Sequence, residues 1–484
     1  MKVAQFLALA AVCATGITAT GVIPISISHT GRRALPVTKR ADTYTETLTN
    51  NITYGGYFAS ISVGTPGQAQ DVVLDTGSSD LWVLGSDSST CSESTSSGGN
   101  GGNGPGNRRR QTSTSACIST FDTSSSSTFT NLSLAFDIEY VDGSGVEGYY
   151  FTDTVELAGA TIDTVQMGLA DESDIEYGIM GVGFEADESA ATLYPNIIDK
   201  FYSSGLIGAR AYSLYLDDLD SSSGTILFGG VDSDKYTGDL IAVPIIKDST
   251  VNNYTSFSVT LSSVAAVASD GTVSDNYTMS AQVVVLDSGT TLTYLPETVA
   301  ESIFTTFGAT YDESLGYATI DCSQADNSSI LLEYQFGGSS GPAIKVALSE
   351  LVIDDGTSRG GGSSMESSGE STCAFGVSMS TSTYLLGDTF LRSAYVVYDL
   401  DAKEVALAQT DFNSTSTSVT AITSGSSIPG VSATATDIVA SATGTSLGGT
   451  TKKDSGASRM GSMEVAPLAS IAMGALVGVL LICA

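Results

Sequence analysis

Residues Val72–Val83 read VVLDTGSSDLWV, and residues Val283–Leu295 read VVVLDSGTTLTYL. Each stretch places one aspartate behind a run of apolar, mostly β-branched residues and ahead of a turn of glycine and hydroxyl side chains. The aspartates, Asp75 and Asp287, lie 212 residues apart (287 − 75). A short apolar run bounded by turn residues reads as a buried strand, so each carboxyl is delivered at a strand end. One such turn is ordinary; two matching turns imply two matching halves.

The chain has 484 residues, enough for two lobes with their own cores. Its 52 Gly and only 15 % charged residues, with short apolar runs between Gly, Asp, Asn and Ser, predict a mainly β protein. Both ends read as processing signals. Residues 1–20 form a secretory signal peptide, cut after Gly16 or near Ala19–Thr20. Residues 21–40 end in the dibasic pair Lys39-Arg40 and contain no acid, whereas Ala41–Thr451 holds 51 acidic and 11 basic residues. A basic propeptide cut at that pair, covering an acidic body, is the expectation. From Asn413 to about Ser455 the chain turns Ser/Thr-rich and reads as an O-glycosylated stalk. Val465–Ala484 is uncharged and apolar. Its length fits a membrane-spanning helix. The small residues Ser455-Gly456-Ala457, a spacer and this tail also fit a glycolipid-anchor signal, removed on attachment at Ser455 or Gly456. The anchor is the stronger reading, with residues 456–484 lost and the protein held at the outer face of the plasma membrane or passed to the cell wall.

Outside the two end segments four cysteines remain, and four allow three pairings. Sequence neighbourhood favours Cys91–Cys117 and Cys322–Cys373. Sequons at Asn51, Asn131, Asn253, Asn276, Asn327 and Asn413 suit a glycosylated exterior. Between Cys91 and Cys117 the insert 92–116 is rich in Gly, Ser and Asn and reads as disordered. Its Arg108-Arg109-Arg110 offers a processing site, which would give a two-chain form held by the bridge; otherwise a monomer is expected. No nucleic-acid partner is expected.

The single histidine, His29, precedes the dibasic pair. A body starting at Ala41 therefore lacks histidine, which excludes Ser-His-Asp and Cys-His catalysis and His-containing zinc sites. No metal or cofactor is expected, and carboxylate chemistry is left. Two carboxylates either flank a glycosidic bond some ångströms apart or touch and share one proton. Matched turns favour the second, since equivalent strand ends from two lobes can meet about a pseudo-two-fold axis. Gly77 and Gly289 are read as letting the chain reverse. The hydroxyls of Thr76, Ser78, Ser288 and Thr290 are read as donors that hold the carboxylates coplanar.

DTGSSDLWV and DSGTT resemble the paired signature of the pepsin-like aspartic proteases. IMGVGF (Ile179–Phe184) and YLLGDTFLRSAYVVYD (Tyr384–Asp399) resemble the segments that pass beneath each catalytic turn, and GTILFGGVDSDKYTGDL (Gly224–Leu240) the stretch between lobes. Leu132, Leu134, Phe136, Ile138 and Tyr140 alternate with a period of two before Asp142-Gly143, which reads as a hairpin. The resemblance makes it the flap, with Tyr140 the flap tyrosine and Trp82 its hydrogen-bond partner. It covers about Ile52 to Phe412 and implies a bilobal β fold, with an N-terminal lobe over 41–240, a C-terminal lobe over 241–412, a cleft between them and peptide or protein substrates. The prefix, stalk and tail match the layout of anchored fungal yapsins, which implies cleavage beside basic residues. Two other readings stay open: a catalytically silent surface binding or adhesion protein on this fold, and a two-carboxylate cell-wall glycosidase.

Overall fold

The computed structural model describes residues 56–91, 117–157, 159–221, 223–277, 279–354 and 371–437, with the backbone of one further strand, Ile23–His29. The two quoted stretches build the same local structure twice. Strand Gln68–Asp75 alternates at its start and is continuously buried over Val72–Asp75, as its apolar run predicts. It pairs in parallel with Gly178–Gly181, Asp75 facing Gly181. That short strand runs antiparallel to Leu81–Leu84. In the other half, Gln282–Leu286 pairs in parallel with Leu385–Leu386, which runs antiparallel to Thr293–Pro296. Each catalytic strand is thus braced by a segment from about 100 residues later in the chain. The glycines of these segments permit the approach. A Cβ at Gly181 would lie 2.6 Å from Ser79 N, and one at Gly387 would lie 2.3 Å from Thr290 O.

The molecule is a bilobal, mainly β protein. A 14-stranded sheet carries the N-terminal lobe and continues under both halves. The C-terminal lobe adds an eight-stranded and a four-stranded sheet. One apolar core runs below both catalytic turns. Tyr212 stacks on Tyr398 at 4.9 Å, Phe257 meets Tyr398 edge-on at 4.6 Å, and Phe184 lies 5.1 Å from Phe257. Aromatic side chains of this size bury the largest areas in a core, so these contacts fix the lobes beneath the catalytic turns. The alternating stretch forms a hairpin, Thr130–Glu139 against Gly145–Leu157, with Glu139 facing Gly145. Its tip is shaped by Asp142 Oδ1, which accepts from Ser144 N at 2.9 Å, and by Gly143 at φ +84°. Disulfides join Cys91 to Cys117 and Cys322 to Cys373.

Two segments depart from the sequence reading or extend it. Ile23–His29, inside the stretch expected to be a propeptide, is a strand paired with Ser223–Phe228 on one side and Tyr57–Val63 on the other. The stalk does not begin at Asn413. Val419–Ala421 pairs with Gly230–Asp232, and Val431–Thr434 pairs in parallel with Tyr236–Pro244 at the edge of the large sheet. Ile422, Ile428 and Ala435 are buried. Ala435 and Asp437 seat on a notch of glycines in the C-terminal lobe: a Cβ at Gly337 would meet Ala435 Cβ at 2.4 Å, and one at Gly338 would meet Asp437 Oδ2 at 2.2 Å. The composition hid this because a few spaced apolar residues and backbone pairing suffice when a preformed surface supplies the rest. The packed body therefore reaches Asp437, 25 residues beyond Phe412 (437 − 412).

Of the sequons, Asn131, Asn253, Asn276 and Asn413 are exposed and Asn327 is half-buried. The Asn413 amide, to which a glycan would attach, donates to Asp218 Oδ2. Asn51, the Lys39-Arg40 pair, the insert 92–116 and Ser455-Gly456 lie outside the described residues.

Candidate active site

The two strand ends bring Asp75 and Asp287 together at the junction of the lobes, each carboxyl 5–6 % exposed. Their supports match pairwise. Asp75 Oδ1 accepts from Gly77 N at 2.7 Å, and Asp287 Oδ1 accepts from Gly289 N at 2.9 Å. The outer oxygens take hydroxyls: Ser78 Oγ donates to Asp75 Oδ2, and Thr290 Oγ1 donates to Asp287 Oδ2 at 2.6 Å. Hydrogen bonds to the charged form favour it, so each carboxylate is held by a backbone amide and a hydroxyl.

Thr76 and Ser288 do something other than the sequence suggested. Neither hydroxyl donates to a catalytic carboxylate. Thr76 Oγ1 donates to Leu286 O at 2.9 Å and Ser288 Oγ donates to Leu74 O at 2.8 Å. In return Ser288 N donates to Thr76 Oγ1 at 2.9 Å, and Thr76 N donates to Ser288 Oγ at 3.1 Å. Four reciprocal bonds between buried groups thus tie one lobe's turn to the other's. In a water-free interior such bonds are costly to break, which fixes the spacing of the two carboxyls.

The glycines also serve differently from the expectation. Neither Gly77 nor Gly289 takes a positive φ. Glycine is required because each turn presses on the opposite acid: a Cβ at Gly77 would lie 2.5 Å from Asp287 Oδ1, and one at Gly289 would lie 2.4 Å from Asp75 Oδ1. The same closeness governs the charge. Burial first, and then the neighbouring Asp287 carboxylate, push the Asp75 carboxyl well above the carboxylate range, while bonds from Ser78 and Gly77 pull it partly back. Two like charges this close and this dry cannot both persist, so the pair retains one proton between them. The wide separation that a water-using glycosidase needs is incompatible with this contact.

Trp82 Nε1 donates to Tyr140 OH at 2.8 Å, tying the hairpin to the strand Leu81–Leu84 that follows the turn of Asp75. Asp142 and Gly143 form the flap tip. Sequence reasoning passed over Asp80, which lies inside the first quoted stretch. It is fully buried and accepts from Tyr150 OH at 2.8 Å, Tyr194 OH at 2.6 Å and Ser189 N at 2.8 Å. The one visible signal was an acid set directly before the apolar run LWV.

The model of the family described as eukaryotic aspartyl protease matches residues 56–410. The chain belongs to the eukaryotic aspartyl proteases. It is 39 % identical over 427 residues to the probable aspartic-type endopeptidase opsB of Aspergillus oryzae, covering 85 % of this chain and 81 % of that one. Secreted aspartic protease 8 of Candida albicans is 38 % identical, covering 79 % and 82 %. Aspartic proteinase 3 of Saccharomyces cerevisiae is 33 % identical, covering 80 % and 75 %. The crystal structure of the aspartic proteinase from Irpex lacteus shares the fold at a TM-score of 0.56 and 22 % identity, over 82 % of this chain and 99 % of that one. The protein is an aspartic endopeptidase, a hydrolase of peptide bonds.

Proposed function

We propose that this endopeptidase is exported, anchored at the cell surface by a glycolipid, and cuts peptides beside lysine or arginine. The observation that carries the substrate reading is the flap tip. Asp142 is exposed at the turn of the hairpin, its Oδ1 accepting from Ser144 N at 2.9 Å. An exposed carboxylate at that turn can pair with a cationic side chain entering the cleft, in a chain whose net charge is −34.

In the reaction, a water lies between Asp75 and Asp287. The ionised member of the pair takes a proton from it as the water attacks the peptide carbonyl, and the protonated member gives its proton to the carbonyl oxygen. The tetrahedral species collapses as the dyad gives its proton to the nitrogen, one hydroxyl of that species returns its proton to the other aspartate, and the C–N bond breaks, which leaves one proton on the dyad. Tyr140, held by Trp82, closes over the cleft and shields this step from bulk water. Asp142→Asn is expected to lower kcat/KM for a peptide cut after Lys or Arg about tenfold or more, and to leave a Leu- or Phe-directed peptide within about twofold. An equal loss on both peptides would remove the basic preference from Asp142.

The anchor reading rests on the tail Val465–Ala484 and the small residues at Ser455-Gly456. A phosphatidylinositol-specific phospholipase, or a glucanase if the enzyme is wall-linked, is expected to release active enzyme from cells. Release by detergent alone would mark the tail as a retained helix.

A further inference from the structure

We propose that Asp80 is a positioning residue for peptide hydrolysis: a buried hub that clamps the flap and the 185–196 loop to the turn carrying Asp75, and so holds Tyr140 over the dyad. The inference rests on the dyad alone and is independent of the basic preference and of the anchor.

Asp80 is five residues beyond Asp75 and two before Trp82. Its backbone carbonyl accepts from Gly181 N at 3.0 Å, which fixes it beneath the catalytic turn. Its side chain then reaches three other places. Tyr150 belongs to the returning strand of the flap, Gly145–Leu157, and its ring meets Phe136 of the outgoing strand edge-on at 5.1 Å. Phe136 in turn packs 6.4 Å from Trp82, whose indole holds Tyr140. Tyr194 lies edge-on to Tyr150 at 5.6 Å, just ahead of the helix Ile197–Ser203. The Ser189 amide completes the set, and the Ser189 hydroxyl lies 2.9 Å from Tyr150 OH. A buried carboxyl with no partners would be severely destabilising. Here three donors converge on one, Tyr150 from the returning strand of the hairpin and Ser189 and Tyr194 from the 185–196 loop. Removing the carboxyl takes the shared acceptor from two phenols and an amide, and the stack of Tyr150, Phe136 and Trp82 loses its anchor. Near the tip, Gly145 N also donates to Asp174 Oδ2 at 3.0 Å and Gly145 O accepts from Asp174 N at 3.0 Å, so the hub reaches Tyr140 through the packed rings of Tyr150, Phe136 and Trp82.

The molecule contains its own reporter. Trp82 is the only tryptophan, fully buried and bonded to Tyr140, so the intrinsic fluorescence of the protein reads the flap contact. The test uses Asp80→Ala and Asp80→Asn in the mature enzyme, with kcat and KM on a neutral peptide, pepstatin affinity, and Trp82 emission below the unfolding temperature. Asp80→Ala is expected to lower kcat/KM at least tenfold, weaken pepstatin comparably, and red-shift Trp82 emission in the folded protein. Asp80→Asn is expected to rescue all three, because its amide gives its two hydrogens to the phenol oxygens while its carbonyl accepts from Ser189. A merely stabilising residue would lower the melting temperature without moving the emission of the folded state. Lost activity with unchanged emission, or an Asn variant as damaged as the Ala variant, overturns the proposal. If Asp80→Ala is not secreted, Tyr150→Phe carries the test by removing one hydroxyl from the hub. A severalfold fall in kcat/KM with shifted emission supports the clamp, and unchanged emission overturns it.

Discussion

Asp75→Asn and Asp287→Asn should each abolish peptide hydrolysis, by at least about 10³-fold in kcat, while the protein is secreted with both disulfides formed. Asparagine is nearly isosteric, and its amide can neither take a proton from water nor share one with its neighbour. The bonds between Thr76, Ser288, Leu74 and Leu286 do not involve the changed atoms, so the lobes stay registered. The double variant should be scarcely slower than either single one, since the acids act as a unit. Single-turnover assays of the three variants check this. Substantial activity in either single variant would remove the dyad.

Stability should fall steeply as pH rises, which is the second large effect expected. Burial pushes the carboxyls of Asp75, Asp80, Glu350 and Asp388 upward, and that of Glu188 to about 9. An acid whose folded pKa exceeds its unfolded value keeps a proton that the unfolded chain has lost. Folding therefore loses free energy from the ordinary carboxyl range, about pH 4, up to the folded pKa. These upward shifts all act in the same direction, so their losses add over that pH range. The turn acids Asp122, Asp270, Asp312 and Asp321 are shifted downward by hydroxyl and amide donors, so their contribution appears above the ordinary carboxyl range and is lost only at lower pH. Thermal melts should thus be highest on the acid side and decline toward neutral pH. Glu188→Gln should raise the melting temperature at pH 8 and leave it nearly unchanged at pH 4, because Glu188 Oε1 has no hydrogen-bond partner among the described residues and an amide fits the protonated form. Melting temperatures that climb from pH 4 to pH 8 would refute the assignment.

The local chemistry of the site was legible because it is written in contiguous residues. Two short matching patterns specify two strand ends, and two equivalent strand ends specify a dyad. What the patterns could not show is contact across the lobes. Thr76 and Ser288 look like ligands of the adjacent acids, and only the meeting of the turns reveals that each hydroxyl serves the other lobe's backbone. Gly77 and Gly289 look like turn residues, and only the distance to the opposite carboxylate shows that they are spacers. Asp80 was hidden by the same cause, since its partners lie 70, 109 and 114 residues away. The tail from Asn413 failed in another way. Its composition cannot build a core alone, yet Ile422, Ile428 and Ala435 need only dock on a surface already formed.

The account stands on one proton shared by Asp75 and Asp287, and the pH profile of kcat/KM tests that most directly. It should be taken from initial rates on a neutral peptide, at low and high ionic strength, within the range where melts show the enzyme folded. The expected curve is bell-shaped and acidic: the acid limb marks loss of the ionised member, and the alkaline limb marks loss of the shared proton. With 51 acidic and 11 basic residues between Ala41 and Thr451, the negative field should carry the alkaline limb toward neutral pH, and salt should draw it back. A bell on the acid side whose upper limb retreats with salt is the predicted result, and activity still rising above about pH 8 would contradict a shared-proton dyad.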